Sequence, residues 1–474
     1  MALITLLRTI RFDCGKCSIH KSAISQPFLV PNGEFSMKPI RMLSPVEEGF
    51  EAFNQIASSL NVVTISKIKG SMSQETLEQA LKIVEQRHPQ LQCCISGVTG
   101  MFGFSKRAER YLPFQVIKTD DDDTWQQVAL NELNQSLNSS QSLWRIVLIC
   151  HAEHNVCHLI TTTHHAISDG ISTISLHSEI LNHCGKIQSG NVLPSHTSTL
   201  PFLPSPESMF PQRHQGYRGK ILGLLWLVRT ALKQLYFRPK TLSFEALVPV
   251  KERTCNVIYK HIESEPSRAL LERCRTEKTT VQGALCAAML LAVANNLKKT
   301  GMKHLSLGCR SFVDLRRRLS PIVGNEHLGS LASGVATFHT ITESTDFWQL
   351  ARDVKQAMKQ SLDRGEMFSI MTLFKELFND LLIDPDNSPL TNKAPLAVEV
   401  SNVAEIDIPM KYGPLELEEI RFMPSQGIFG GEFFATVATF RRRMTFNFVF
   451  SEPSISRATV EDLIEDTFSY LEGG

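Results

Sequence analysis

The sequence predicts an α/β protein of two lobes built on mixed β-sheets. Three observations carry this reading. Strand-like and helix-like stretches both recur but do not alternate regularly, which argues for mixed or antiparallel sheets. A stretch rich in Pro, Ser and Thr over residues 191–215 separates two halves of similar make-up. The 474 residues also exceed a single core and suit two large lobes.

The elements follow in order. Residues 61–69 alternate apolar and polar side chains and predict a half-buried strand. A helix is expected over residues 73–87, with Leu77, Ala80, Leu81 and Val84 on one face and Pro89 past its end. Asp120 to Asp123 precede a helical stretch, 125–137, where carboxylates favour the helix dipole. Residues 144–151 and 156–163 predict a hairpin whose second strand runs straight into His164 and His165. In the second half, strands are expected at 255–262, 303–309, 333–340, 396–403, 417–423, 432–440 and 443–450. Helices are expected at 266–277, 280–297, 345–361, 366–382 and 457–471. Thr279 and Gln282 have the spacing of a capping box for the second of these, which is apolar nearly all round and so should be buried.

Composition excludes several classes. Lys and Arg number 49 against 48 Asp and Glu, a net charge of +1, which leaves no basic field for nucleic acid. The eleven cysteines are scattered, odd in number and mostly set in apolar runs, as expected for thiols in a reducing, cytoplasmic setting. Cys14 and Cys17 form a CxxC without a second pair or redox context. No stretch was expected to be apolar enough to span a bilayer. Residues 1–36 read as a disordered or targeting extension.

The most informative stretch is Thr161-Thr162-Thr163-His164-His165-Ala166-Ile167-Ser168-Asp169-Gly170, an HHxxxDG pattern at a strand end. A histidine there can take a proton from a hydroxyl or amine as it attacks a carbonyl. A carboxylate four residues on can fix the loop, and Gly170 permits a tight turn into the next helix.

HHxxxDG resembles the active-site motif of the CoA-dependent acyltransferase superfamily, which includes condensation domains and alcohol acyltransferases. Ile40 to Glu47 is similar to the family's opening strand. Arg87-His88-Pro89-Gln90-Leu91 looks like its RHPxL element, Val313-Asp314-Leu315-Arg316 like its VDLR element, and Val400-Ser401-Asn402-Val403 like a late strand. The DFGWG sequence of the plant branch has no match, and Tyr412-Gly413-Pro414 does not replace it. The resemblance implies two chloramphenicol-acetyltransferase-like lobes with an inter-lobe tunnel. Residues 37–190 would form the first lobe, 191–254 a linker and 255–474 the second lobe.

The resemblance also implies roles. His165 would be the general base, with His164 and Asp169 completing the catalytic motif. Arg316 would pair with Asp169, and Gly170 would support the turn. Asn402 or Ser401 would touch the oxyanion or substrate. The co-substrate would be an acyl-CoA or acyl-carrier thioester, with no permanently bound cofactor and no metal. The acceptor would be a small-molecule or lipid-like alcohol or amine. A wax-ester or acylglycerol synthase, a peptide-bond-forming condensation protein and an inert scaffold of the same fold stand as alternatives.

Three further features need weighing. His151, His154 and His158 have a spacing that invites zinc, but they straddle a hairpin turn and no carboxylate or Cys completes the set. Arg316 to Arg318 and Arg441 to Arg443 could receive phosphates or simply lie in solvent. Residues 220–238 form an apolar block ringed by basic residues, suited to a membrane surface or a tunnel gate as well as to ordinary packing.

Overall fold

The computed structural model describes residues 39–473 apart from 59, 99, 152, 192–197, 299–303, 389–390, 392 and 429–430. The extension, with Cys14 and Cys17, lies outside the described residues, as does part of the linker.

The first half runs β1 (Arg41–Met42), α1 (Pro45–Ala57), β2 (Val62–Lys69), α2 (Gln74–Arg87), β3 (Cys93–Ser96), β4 (Gly103–Lys106), β5 (Phe114–Lys118), α3 (Thr124–Asn134), β6 (Trp144–His151), β7 (Val156–Thr163) and α4 (Gly170–Gln188). Then comes α5 (Gly216–Phe237). The second half runs β8 (Thr254–Ile262), α6 (Ser264–Thr276), α7 (Val281–Lys298), β9 (Leu305–Asp314), β10 (Ala332–Ile341), α8 (Phe347–Asp363), α9 (Glu366–Thr372), α10 (Phe374–Ile383), β11 (Val398–Glu405), β12 (Lys411–Tyr412), β13 (Leu415–Pro424), β14 (Phe433–Phe440), β15 (Arg443–Glu452) and α11 (Arg457–Gly473).

Two mixed six-stranded sheets carry the molecule, in the orders β12-β13-β2-β7-β6-β5 and β10-β9-β11-β14-β15-β8. The sheets do not respect the lobe boundary read from the sequence. Although β13 follows β11 in the chain, it pairs antiparallel with β2 in the first sheet, with Phe422 opposite Thr64. The second half therefore lends a ribbon to the first lobe, because the edge of β2 would otherwise lack partners. In the second sheet β11 lies parallel to both β9 and β14.

Local signals explain most elements. Ser44 and Glu47 form a reciprocal capping box for α1 and Pro45 stands in its first turn, so the expected opening strand is cut to the two residues of β1. The Ser73 hydroxyl accepts from the Thr76 N–H at the start of α2. The single helix expected over 366–382 is two, α9 and α10. The expected Thr279–Gln282 box is also replaced. Thr280 Oγ1 accepts from Gly283 N at 3.0 Å, Thr279 donates across to the Ala351 carbonyl, and Gln282 reaches Ser311. The Asp side chains before α3 stay in the exposed turn, where Asp121 accepts from Asp123 N. Asp123 caps the helix by position without a side-chain bond to a backbone N–H, and its Oδ1 accepts from the Gln126 side-chain amide at 3.2 Å.

By length and composition alone α7 could cross a membrane, contrary to the sequence expectation, yet it is mostly buried in this structure. Ala287, Leu290 and Val293 pack there against β9, β11 and α11, which explains why the helix is apolar all round.

Candidate active site

The strand β7 is buried along most of its length, and its threonines find polar partners rather than water. Thr161 Oγ1 lies 2.8 Å from His177 Nε2, whose other nitrogen meets Ser66 Oγ at 2.8 Å. At the strand end the chain turns so that two adjacent histidines meet different surroundings.

The ring of His165 lines a cavity of about 170 Å³. Its Nδ1 lies 2.7 Å from the Ser168 carbonyl oxygen. A carbonyl only accepts, so Nδ1 carries the proton and Nε2 keeps its lone pair. The ring stacks on Phe50 with centroids 4.3 Å apart and planes 6° from parallel. Burial pushes its pKa below the ordinary 6.5, against the opposing pull of the Ser168 carbonyl and Asp169. The neutral imidazole is thus the resting form at neutral pH.

His164 is fully buried and adds no surface to the cavity. Its Nδ1 accepts from the Ala166 N–H at 3.1 Å, and its Nε2 lies 2.9 Å from Glu51 Oε2. It ties the loop to α1 and cannot reach a substrate, which corrects its place among the expected catalytic residues.

Asp169 caps α4, accepting from Ser172 N at 2.9 Å, and faces Arg316 in a two-pronged pair at 2.9 and 3.0 Å. It also accepts from the Leu331 N–H at 2.9 Å, while Asp314 accepts from Arg316 at 2.9 Å. Burial would raise the Asp169 pKa, but the Arg316 charge and these donors hold it below 3.8. The structure therefore brings the two expected partners together across 147 residues and joins the halves of the chain. Gly170 is required for a reason other than turn freedom: a Cβ there would come within 2.5 Å of the Phe422 ring.

The cavity draws on both halves. Val46, Phe50 and Phe53 come from α1, Phe422 and Pro424 from β13, and Ile370, Met371 and Phe374 from α9 and α10. Ser401 lines the cavity but Asn402 does not. Asn402 Oδ1 instead accepts from Ala404 N at 2.8 Å beside a β-bulge, so the expected oxyanion contact is absent from that side chain.

Sequence reasoning missed a second polar wall. Arg310 on β9 and Glu399 on β11 are register partners, hydrogen-bonded to each other, and both line the cavity. Buried Glu432 sits beside them. Burial raises both carboxyls, and Arg310 opposes it; Glu432 is raised furthest because Glu399 also repels its charge. The pair therefore holds its protons to higher pH than free carboxyls do. The available signal was a charged residue inside each strand, Arg310 within LSLGCRSFVD and Glu399 second in VEVSNVAE.

The remaining candidates fall away from the cavity. Arg87 and His88 both reach Glu179 on α4, at 3.3 and 3.0 Å, and fasten α2 to it. His151 and His158 lie 3.2 Å apart, and burial, then His151, pulls the His158 pKa down to about 3. No group of metal-binding type is found among the described residues. Arg441 and Arg443 are engaged by Glu416, Glu419 and Glu263 on the surface.

Comparison with known proteins bears on this arrangement. Residues 41–203 match the condensation-domain family, and residues 252–447 match the C-terminal region of the phthiocerol/phthiodiolone dimycocerosyl transferases. The first region holds His165 and Asp169 and the second holds Arg316 and Ser401, so the two matches meet at one cavity. Together the condensation-domain and dimycocerosyl-transferase matches span most of the chain.

The chain is also similar to a curated protein of Fusarium pseudograminearum named as a probable alcohol acetyltransferase. The two are 23% identical over 290 residues, 57% of this chain and 58% of that protein's length. The trichothecene 15-O-acetyltransferase of Fusarium sporotrichioides superposes with a TM-score of 0.72 at 12% identity, over 91% of this chain and 95% of that one. Polyketide synthase associated protein 5 from Mycobacterium tuberculosis does so with a TM-score of 0.65 at 16% identity, over 92% and 99%. These likenesses establish the two-lobed acyltransferase fold.

Proposed function

We propose that the chain is an acyltransferase that moves an acyl group from a CoA or carrier-protein thioester to an alcohol or amine, with His165 as general base. The observation that carries this reading is the His165 imidazole, proton on Nδ1 and lone pair on Nε2, lining a cavity shared by both halves. The acceptor's O–H or N–H gives its proton to Nε2 as its heteroatom bonds to the thioester carbonyl carbon. A tetrahedral oxyanion forms, the C–S bond breaks, and the proton passes from His165 to the departing thiolate. We assign the oxyanion contact to the Ser401 hydroxyl rather than to Asn402, because Ser401 lines the cavity and Asn402 does not.

The curated relative favours an alcohol acceptor over an amine, and the aromatic lining suits an apolar one. Thiol release from short and long acyl-CoA thioesters, with and without alcohols, tests the reading. Release that needs both an acyl-CoA and an alcohol, with ester formed in equal amount, is expected. No ester from any such pair, with turnover only from carrier-bound acyl and amines, would replace it with the condensation alternative.

A further inference from the structure

The helix α5 carries the largest unpaired apolar face on the described surface. Tyr217, Ile221, Leu224, Leu225, Val228, Leu232, Leu235 and Tyr236 are all exposed, Leu225 and Leu232 at 59% and Tyr236 at 83%. At 100° per residue they fall within an arc of about 120°. The opposite side is held inward by Gly219 and Gly223, with buried Ala231 at the edge of the stripe, and the close approach of Leu373 to Gly223 seats the helix on the C-terminal end of α9. Trp226 and Leu227 are half-buried, so the outward stripe is not the contiguous block that the sequence suggested.

Residues 216–240 contain no Asp or Glu. Arg218 and Arg229 border one flank of the stripe, Lys220 the other, and Arg238 caps the end. Among the described residues no carboxylate lies at ion-pair distance from Arg218, Lys220 or Arg238, whereas Arg229 has Glu366 at 3.8 Å. An apolar stripe of this size on a soluble surface needs a cover. A protein partner would be expected to meet these cations with acidic groups of its own, but an apolar interior under anionic headgroups answers both the stripe and its flanks at once.

We propose that α5 is a membrane-docking helix, lying in the interface of an anionic bilayer with its leucine stripe among the acyl chains. The reading does not depend on the chemistry at His165, but it deepens it. α5 packs on α9, whose Ile370 and Met371 line the cavity. Docking thus leaves one helix layer, about 10 Å, between the membrane surface and the acyl-transfer site, and it fits an acceptor or acyl chain that partitions into lipid.

Co-sedimentation of the full chain with phosphatidylcholine–phosphatidylserine vesicles, and with phosphatidylcholine alone, tests this. The wild type is expected to pellet with the anionic vesicles and to lose binding as salt rises. Leu225→Glu, Val228→Glu, Leu232→Glu, combined in one chain, should reduce partition roughly tenfold or more at unchanged melting temperature. Arg218→Glu with Lys220→Glu, both exposed, should weaken it on anionic vesicles only and serves if the triple variant unfolds. His165→Ala should bind vesicles like the wild type, which separates a failed docking surface from a failed enzyme. Equal partition of wild type and both variants would overturn the proposal. So would a concentration-dependent dimer that the triple variant abolishes, with no vesicle binding by the wild type; the stripe would then meet a second copy.

Discussion

Two buried arginine–carboxylate clusters stand at the same cavity and are built on opposite principles. At Asp169 one carboxylate is surrounded by donors: Arg316 with two prongs, Ser172 N and Leu331 N. At Arg310 the imbalance runs the other way, with two carboxyls, Glu399 and Glu432, competing for one guanidinium. The first cluster favours the ionised carboxylate and fastens the His165 loop to the far half. The second favours the protonated form and sets a polar wall along the cavity. Burial alone therefore does not fix the charge of a carboxyl; the count of donors around it does.

The difference should appear most strongly on deletion. Asp169→Ala leaves Arg316 buried with a single carboxylate and is expected to cost about 3–5 kcal/mol in urea unfolding. Asp169→Leu combined with Arg316→Met should cost less than the two single changes summed. Because the folded pKa of Asp169 lies below 3.8, its ion pair contributes fully above that value and is lost only as pH falls through the lower folded pKa.

The opposite sign holds at the second cluster. Glu432 is raised well above 4.5, so between 4.5 and its folded pKa the unfolded chain releases a proton that the folded chain keeps. Stability from this group falls as pH rises. Glu432→Gln should flatten that fall and leave the protein as stable or about 1 kcal/mol more stable at neutral pH, as thermal unfolding across pH would read. A loss like that of Asp169→Ala would erase the contrast.

These clusters also divide what the sequence could tell from what it could not. Asp169 and Arg316 were legible because both sit in short patterns, HHxxxDG and VDLR, whose chemistry is local. The hairpin ending in His164 and His165 was legible from its alternation and matches β6 and β7. The Arg310–Glu399–Glu432 wall was not, since Arg310 and Glu399 meet only through the register of parallel strands β9 and β11, and Glu432 joins them from the residue before β14. The insertion of β13 beside β2 was illegible for the same reason: pairing partners far apart in the chain leave no local trace. Helix α1 was misread although Ser44 and Glu47 announced it, because its first residues resembled a strand. Asn402 was assigned by motif alone, and a bulge turned its side chain to its own backbone.

Two smaller effects sharpen the account. Phe50→Ala removes the apolar cover of His165, so its pKa should climb back toward 6.5. The acid limb of kcat/KM is expected to move up in pH, with a few-fold loss of rate. Asn402→Ala should change kcat/KM by less than about twofold, since only the bond to Ala404 N is lost. A loss of a hundredfold would return Asn402 to the oxyanion.

The most direct measurement is thiol release by His165→Ala beside the wild type, each with its melting temperature. Removal of the only imidazole that lines the cavity among the described residues should lower kcat roughly a hundred- to ten-thousandfold while the melting point stays put. A folded His165→Ala protein that turns over at nearly the wild-type rate would show that the proton leaves by another route, and the account would fall.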